Sequence, residues 1–130
     1  MFHQLTLTRT GCFGDCPVYH VEVRSDGMVK WHGEFFVAQI GECEWKLDDD
    51  QMKRLLALMD GFDFFNYEYE ANGFPATDLP SCITSITYED GAVKEVDHYL
   101  GDSLNEEERL MTLEEFEEEI DRIVGTHAYI

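Results

Sequence analysis

The sequence predicts an α+β fold: a largely antiparallel sheet of two β-hairpins and extra strands, with two to three helices packed on one face. Two pairs of strand-like segments meet at Asp26-Gly27 and Asp90-Gly91, and Asp-Gly is a favoured two-residue hairpin turn. A segment with helical spacing of apolar residues follows each pair. A chain of 130 residues with this order is expected to form a single domain, residues 1–130.

The first strands are predicted from period-two alternation. Residues 3–9 place Leu5 and Leu7 on one face, and the same parity directs Arg9 inward. Residues 18–24 form the next strand, which carries Tyr19 on its apolar face, and residues 28–33 return as the second arm of the hairpin. One or two further strands are expected within 34–47, without a defined register.

The first helix is predicted to begin at Asp48, which forms a capping box with Gln51. Its apolar stripe is followed by Gly61, where we expect the helix to end. That stripe consists of Met52, Leu55, Leu56 and Met59. Residues 62–80 have no clean period and many aromatic side chains, which is typical of a long ordered loop packed on the core.

The second half predicts strands at 82–89 and 92–100, followed by helices. Ser103 with Glu106 forms one capping box, and Thr112 with Glu115 forms another. The longer helix has an apolar stripe and ends at Gly125. The members of that stripe are Leu113, Phe116, Ile120, Ile123 and Val124. We assign its acidic residues, including the pair Glu117 and Asp121, to mildly repulsive i,i+4 pairs.

The charge balance restricts the partners. The chain has 28 acidic and 9 basic residues, a net charge of −19, which opposes direct binding to nucleic acid and to anionic membranes. No apolar run approaches the roughly 20 residues that span a bilayer, and the start lacks the pattern of a secretory signal, so we expect a cytoplasmic protein. The acidic stretch at 102–121 is interpreted as a solubilising surface; the alternative is a mimic of nucleic acid.

Cys12 and Cys16 lie in a glycine-containing loop, and four interpretations stay open. They could bind zinc, form a redox pair, form a structural disulfide, or pack as free thiols. A zinc site would need a second closely spaced ligand pair, which the sequence lacks, so we expect no metal and no cofactor. The strand that follows supplies no helix dipole to activate a thiolate. Cys43 and Cys82 are interpreted as small buried residues on strands.

Two polar side chains are predicted to point into the protein. His98 shares its parity with Val96 and Leu100, as Arg9 does with Leu5 and Leu7. Buried charges need partners, and Asp78 could pair with either residue. We therefore predict a structural or binding cluster, and take three residues as candidates for catalysis. The cluster comprises Arg9, Tyr19, Thr77, Asp78 and His98; the catalytic candidates are Cys12, Cys16 and His98.

Four motifs together resemble a bacterial domain of unknown function, family 6438: RTGCFGDCPVY, SDGMVKWHGE, TDLP and HYLG. The resemblance extends from about Leu5 to Val124. It implies no activity, because the family has none assigned. It implies recurrent residues at Arg9, Cys12, Gly14, Cys16, Pro17, Tyr19, Gly27, Gly33, Thr77, Asp78 and His98. Many relatives look exported, which implies a disulfide between the two loop cysteines. This chain departs from that pattern in its start and in its acidic C-terminal helices.

These observations predict a non-enzymatic protein-binding module with a structural Cys/Arg/Asp/His cluster. The alternative is a thiol-disulfide redox domain that uses Cys12 and Cys16, with Arg9 lowering a thiol pKa and His98 accepting a proton. An acidic inhibitor that mimics nucleic acid is the third interpretation. Whether the chain is an enzyme and what its oligomeric state is stay open.

Overall fold

A computed structural model of the chain describes residues 2–11, 16–67, 81–99 and 113–130. Within these ranges the fold is α+β, as predicted: a six-stranded antiparallel sheet and two α-helices. The strand order is β4-β3-β2-β1-β5-β6. The strands are β1 Phe2–Arg9, β2 Val18–Arg24, β3 Met28–Phe35, β4 Gly41–Lys46, β5 Ser81–Tyr88 and β6 Val93–Tyr99.

The strand pairs are all antiparallel and place the Asp-Gly dipeptides between paired strands. β2 pairs with β3 around Asp26-Gly27, and β5 pairs with β6 around Asp90-Gly91. Both glycines have positive φ, +91° and +89°, which glycine adopts without the strain that a side chain would impose. The region 34–47, whose register the sequence left undefined, forms the end of β3, a five-residue loop at 36–40, and the edge strand β4.

The first helix, α1 Asp49–Phe62, begins as predicted. Asp48 accepts a hydrogen bond from the backbone N–H of Gln51, whose side chain accepts one from the Asp48 backbone N–H. The predicted end at Gly61 is wrong. Gly61 stays helical, and Asp63 takes the left-handed conformation that ends α1, with φ +57°. Asp63 can do so because a short polar side chain tolerates that region better than most.

The second helix, α2 Leu113–Val124, ends where Gly125 takes a φ of +89°. Short 3₁₀ turns follow both helices, at Phe64–Asn66 and Thr126–Ala128. The first of these turns lies inside the segment that the sequence assigned to a loop. The rest of that segment and the helix predicted from Ser103 lie outside the described residues.

One face of the sheet packs against the helices. α1 and α2 contact each other through stacked rings of Phe62 and Phe116, whose centroids are 4.3 Å apart. The indole N–H of Trp45 on β4 donates to the backbone carbonyl of Val124, which fixes the end of α2 over the sheet edge. Leu5, Val21 and other alternate strand residues fill the core below the helices. Neither helix in the described part of the chain is long and apolar enough to cross a membrane.

Candidate functional site

A row of side chains crosses the sheet beneath α2. In the register of the strands, Tyr19 pairs with Arg9, Arg9 with Cys82, and Cys82 with His98. Direct neighbours in an antiparallel sheet share a face, and these four residues all lie on the helix-covered face. Three neighbouring strands and the edge strand β6 therefore bring four chemically active side chains into one line.

Helix α2 places two carboxylates over this row. Glu117 and Asp121 are four residues apart, so they lie one turn apart on the same face of the helix. Both are buried, with Glu117 0% and Asp121 3% exposed. Glu117 lies over His98, and Asp121 lies over Arg9 and Tyr19. We call the seven residues of this arrangement the buried polar cluster: Arg9, Tyr19, Cys82, His98, Glu117, Asp121 and Thr126.

Asp121 is the centre of one half of the buried polar cluster. Its Oδ2 accepts hydrogen bonds from Arg9 Nη2 at 2.9 Å and from the Tyr19 hydroxyl at 2.7 Å. Its Oδ1 accepts one from the Thr126 hydroxyl at 2.6 Å. Arg9 Nε also donates to the Tyr19 hydroxyl at 2.8 Å. Both carboxylate oxygens are therefore occupied, and the charge of Asp121 is matched by that of Arg9.

Glu117 is the centre of the other half. Nδ1 of His98 lies 2.9 and 3.0 Å from the two carboxylate oxygens, and the thiol of Cys82 also hydrogen-bonds Glu117. His98 and Cys82 are 2% and 0% exposed. The imidazole therefore links β6 to α2 through one buried carboxylate, and the thiol on β5 lies beside the same carboxylate.

Burial and neighbouring charge set the protonation of the cluster. Burial, and then the carboxylate of Glu117, raise the pKa of the Cys82 thiol well above its usual range, so the thiol stays protonated. Burial and the Asp121 carboxylate likewise raise the pKa of the Tyr19 phenol. Burial lowers the pKa of Arg9, but its acidic neighbours, which include the carboxylate of Asp121, raise it by more, so Arg9 keeps its charge. Burial raises the pKa of Glu117 despite the opposing effects of His98 and Arg9.

The thiol of the cluster is poorly suited to attack from its buried position. In the described ranges the hydroxyl of Thr84 is the one buried side-chain nitrogen or oxygen without a hydrogen-bond partner. A protonated, buried thiol is a poor nucleophile. Among the described residues, no three His, Cys, Asp or Glu side chains are arranged to hold a metal ion.

The sequence-predicted site residues divide into those that the structure brings together and those that it does not describe. It brings Arg9, Tyr19 and His98 into one cluster. The partner proposed for them, Asp78, lies outside the described residues, as do Thr77 and Cys12. Cys16 is half-buried and disulfide-bonded, whereas Cys43 and Cys82 carry free thiols.

Sequence reasoning missed Glu117 and Asp121, which it treated as members of repulsive surface pairs. That interpretation is wrong for both side chains, because they are buried against the sheet and compensated by His98 and Arg9. A signal was present. Leu113, Glu117 and Asp121 form an i,i+4 series, and Glu117 has Phe116 and Ile120 beside it, so it falls within the apolar face of the helix.

A second feature of the molecule is a group of exposed apolar side chains. The last residue of β3 and the loop between β3 and β4 expose three large apolar side chains, which we call the apolar tip: Phe35, Phe36 and Ile40, exposed by 61%, 58% and 59%. The loop turns back over Gly33, where an added Cβ would overlap the carbonyl oxygen of Gln39 and lie 2.8 Å from Val37 Cγ2. Gly33 is therefore needed for the close approach of the loop to β3.

A family model described as a domain of unknown function (DUF6438) matches residues 3–124. The chain belongs to this family. The match confirms the resemblance seen in the sequence motifs and includes both the DUF6438 chain's buried polar cluster, up to Asp121, and its apolar tip. No curated protein and no solved structure matches the chain.

Proposed function

We propose that this DUF6438 chain is a non-enzymatic protein-binding module, and that the apolar tip is its contact surface. The observation that carries the proposal is the simultaneous exposure of Phe35, Phe36 and Ile40. Adjacent exposed apolar side chains of this size are typical of surfaces that bind a partner, and aromatic residues supply much of the energy in such contacts.

The loop is held in place from below, which favours a surface formed in advance of binding. The indole N–H of Trp31 donates to the carbonyl of Gln39 at 3.0 Å. The backbone N–H of Gln39 donates to the carbonyl of Tyr129 at 3.0 Å. Val37 packs against the core. A loop held in this way loses little conformational entropy when it binds, so more of its contact energy contributes to affinity.

The loop also carries a local cost. Phe36 has a φ of +54°, a conformation that costs of order 1–3 kcal/mol for a residue with a side chain. An exposed phenylalanine in addition forgoes about 1.5–3 kcal/mol of burial. The backbone strain lowers the stability of the free protein, and burial of the tip by a partner would supply the missing burial energy.

The buried polar cluster supports the non-enzymatic part of the proposal. Its carboxylates, thiol, imidazole and guanidinium bond one another across three strands and α2, and a substrate would have to displace these bonds. Removing one partner of a buried pair costs far more than removing an exposed charge. The cluster is therefore assigned to stability.

Photo-cross-linking in the cells that naturally produce the chain tests the proposal. p-Benzoylphenylalanine replaces Phe36, or, as the matched control, Phe65, a second exposed aromatic residue (52% exposed) outside the tip. We expect one discrete cross-linked protein from position 36 that is absent from position 65 and is lost when Phe35→Ser is added. Equal products from both positions, or none from position 36, would contradict the proposal.

A thiol-disulfide function is the second candidate, favoured by the disulfide bond of Cys16. In this function Cys16 would exchange its disulfide with an external thiol. Arg9 is paired with Asp121 and hydrogen-bonded to Tyr19, which argues against its role as the activating cation. Intact mass with and without glutathione at a cytosolic ratio separates the cases: a redox domain is reduced by it, and a structural disulfide is not.

A further inference from the structure

A groove runs between the two helices on the side away from the sheet. Its volume is about 510 Å³, and it is lined mainly by apolar groups. The lining residues are Arg54, Ala57, Leu58, Gly61 and Phe62 of α1 with Glu119 and Ile123 of α2. Gly61 and Ala57 keep the α1 wall low. The floor beneath it is formed by Leu58, which is half-buried, and by Phe62 and Ile123, which are buried.

The two helices that form the groove are mostly acidic, and the groove lining itself holds one cation, Arg54, and one carboxylate, Glu119. The exposed or half-buried charged residues of the two helices comprise seven carboxylates and three cations. The carboxylates are Asp49, Asp50, Asp60, Glu114, Glu115, Glu118 and Glu119; the cations are Lys53, Arg54 and Arg122. Arg54 pairs with Asp50 at 3.0 Å, and Arg122 pairs with Glu119 at 2.9 Å. Both arginines are thus committed to carboxylates on their own helices.

We propose that this groove binds a basic amphipathic helix of a partner protein. The apolar face of that helix would pack on Ala57, Leu58 and Ile123, as a helix packs into the groove between two others. Its Lys and Arg residues would face the carboxylates of α1 and α2. The α1 wall of the groove extends from Arg54 to Phe62, about 12 Å at the helical rise, so it can contact about two turns of the partner helix.

The charge pattern favours this occupant over two others. A second copy of the chain would bring its own acidic helices and be repelled, because like charges at a contact oppose association. A small polar ligand would need several converging polar groups, and the described lining offers only Arg54 and Glu119. No residue of the apolar tip lines the groove, so this inference stands whether or not the tip binds a partner.

Binding of a model peptide tests the inference. The probe is an amphipathic helix of leucine and lysine of about 14 residues, compared with the same peptide carrying glutamate for lysine. The variant is Ala57→Lys, which places a cation on an exposed position inside the groove. The matched control is Val93→Lys, which adds the same charge at an exposed apolar position on the face of the sheet opposite the helices.

We expect the leucine-lysine peptide to bind the full chain with one-to-one stoichiometry and the glutamate peptide not to bind. Ala57→Lys should weaken binding at least about tenfold through like-charge repulsion in the groove, with its melting temperature within about 2 °C of the parent. Val93→Lys should match the parent protein. Equal weakening by the two variants would assign the binding to net charge alone and overturn the inference, as would equal binding of both peptides or self-association that excludes the peptide.

Discussion

The buried polar cluster and the apolar tip invert the usual distribution of side chains. The cluster places two carboxylates, a guanidinium, an imidazole and a thiol inside the protein, and the tip places two phenylalanines and an isoleucine outside it. In the cluster, each carboxylate has a nitrogen atom of Arg9 or His98 within 3.0 Å. In the tip, each of the three apolar side chains is more than half exposed to solvent. We therefore propose that the residues of the buried polar cluster stabilise the fold and that the apolar tip supplies the contact surface.

Asp121→Ala removes the central acceptor of the buried polar cluster and should have the largest effect on stability. It leaves the Arg9 guanidinium and the Tyr19 hydroxyl buried without their acceptor, which should lower the free energy of unfolding by about 3–5 kcal/mol. The measurement is urea denaturation at neutral pH. Glu118→Ala, an exposed position on the same helix, should change stability by less than about 0.5 kcal/mol. Similar losses in the two variants would show that the cluster does not hold α2 on the sheet.

Gly33→Ala tests the apolar tip, because it should displace the loop between β3 and β4 from β3. The new Cβ would overlap the Gln39 carbonyl, so the loop must move, and we expect a loss of about 1–3 kcal/mol. Tryptophan fluorescence should change too, because Trp31 donates to that carbonyl. The matched control is Gly61→Ala in α1, where an added Cβ meets no atom within 4 Å; it should be neutral or more stable. A Gly33→Ala variant as stable as the parent would contradict the close approach.

Glu117→Gln tests the electrostatics of the cluster. Because burial raises the pKa of Glu117 above its ordinary 4.5, the folded state binds this proton more tightly than the unfolded state does. Its contribution to stability is therefore full below about pH 4.5 and is lost as the pH rises through the folded pKa.

The difference in unfolding free energy between Glu117→Gln and the parent should shift in favour of the variant as the pH rises from 4.5. The shift is about 1.4 kcal/mol for each unit by which the pKa is raised. Glu118→Gln, at an exposed position of the same helix, provides the comparison. Parallel curves for Glu117→Gln would mean that its pKa is not raised.

Phe36→Asn tests the backbone strain in the apolar tip and should give the smallest change in stability. Asparagine tolerates the left-handed conformation that Phe36 adopts, so the variant should gain up to about 1 kcal/mol. Phe35→Asn, at a neighbouring exposed residue that lacks a positive φ, should gain nothing. Thermal denaturation measures both. If the two variants shift the melting temperature equally, strain at Phe36 is not the cause.

The α+β fold could be predicted because it rests on local signals. Alternation identified the strands, and Asp-Gly turns lay between the paired strands. The Asp48–Gln51 capping box marked the start of α1. The end of α1 could not be placed in the same way, because glycine at 61 is a common stop signal, whereas the left-handed turn occurs at Asp63.

Only the members of the candidate site that lie on strands could be predicted from the sequence. Parity directed Arg9 and His98 inward, but their observed carboxylates come from a helix more than 100 residues beyond Arg9 in one case and 19 residues beyond His98 in the other. Sequence spacing does not report such pairing. The apolar tip went unnoticed because Phe35, Phe36 and Ile40 read as part of a strand region, and only the folded loop shows that they are exposed.

The central claim is that the apolar tip binds a partner while the buried polar cluster maintains the fold. The most direct measurement is the affinity of the protein cross-linked at position 36 for the double variant Phe35→Ser/Phe36→Asn, made alongside its melting temperature. We expect the double variant to bind at least about tenfold more weakly than the parent, a change of about 1.4 kcal/mol, with an unchanged or higher melting temperature. An unchanged affinity would contradict it, and so would a fall in affinity that accompanies unfolding of the variant.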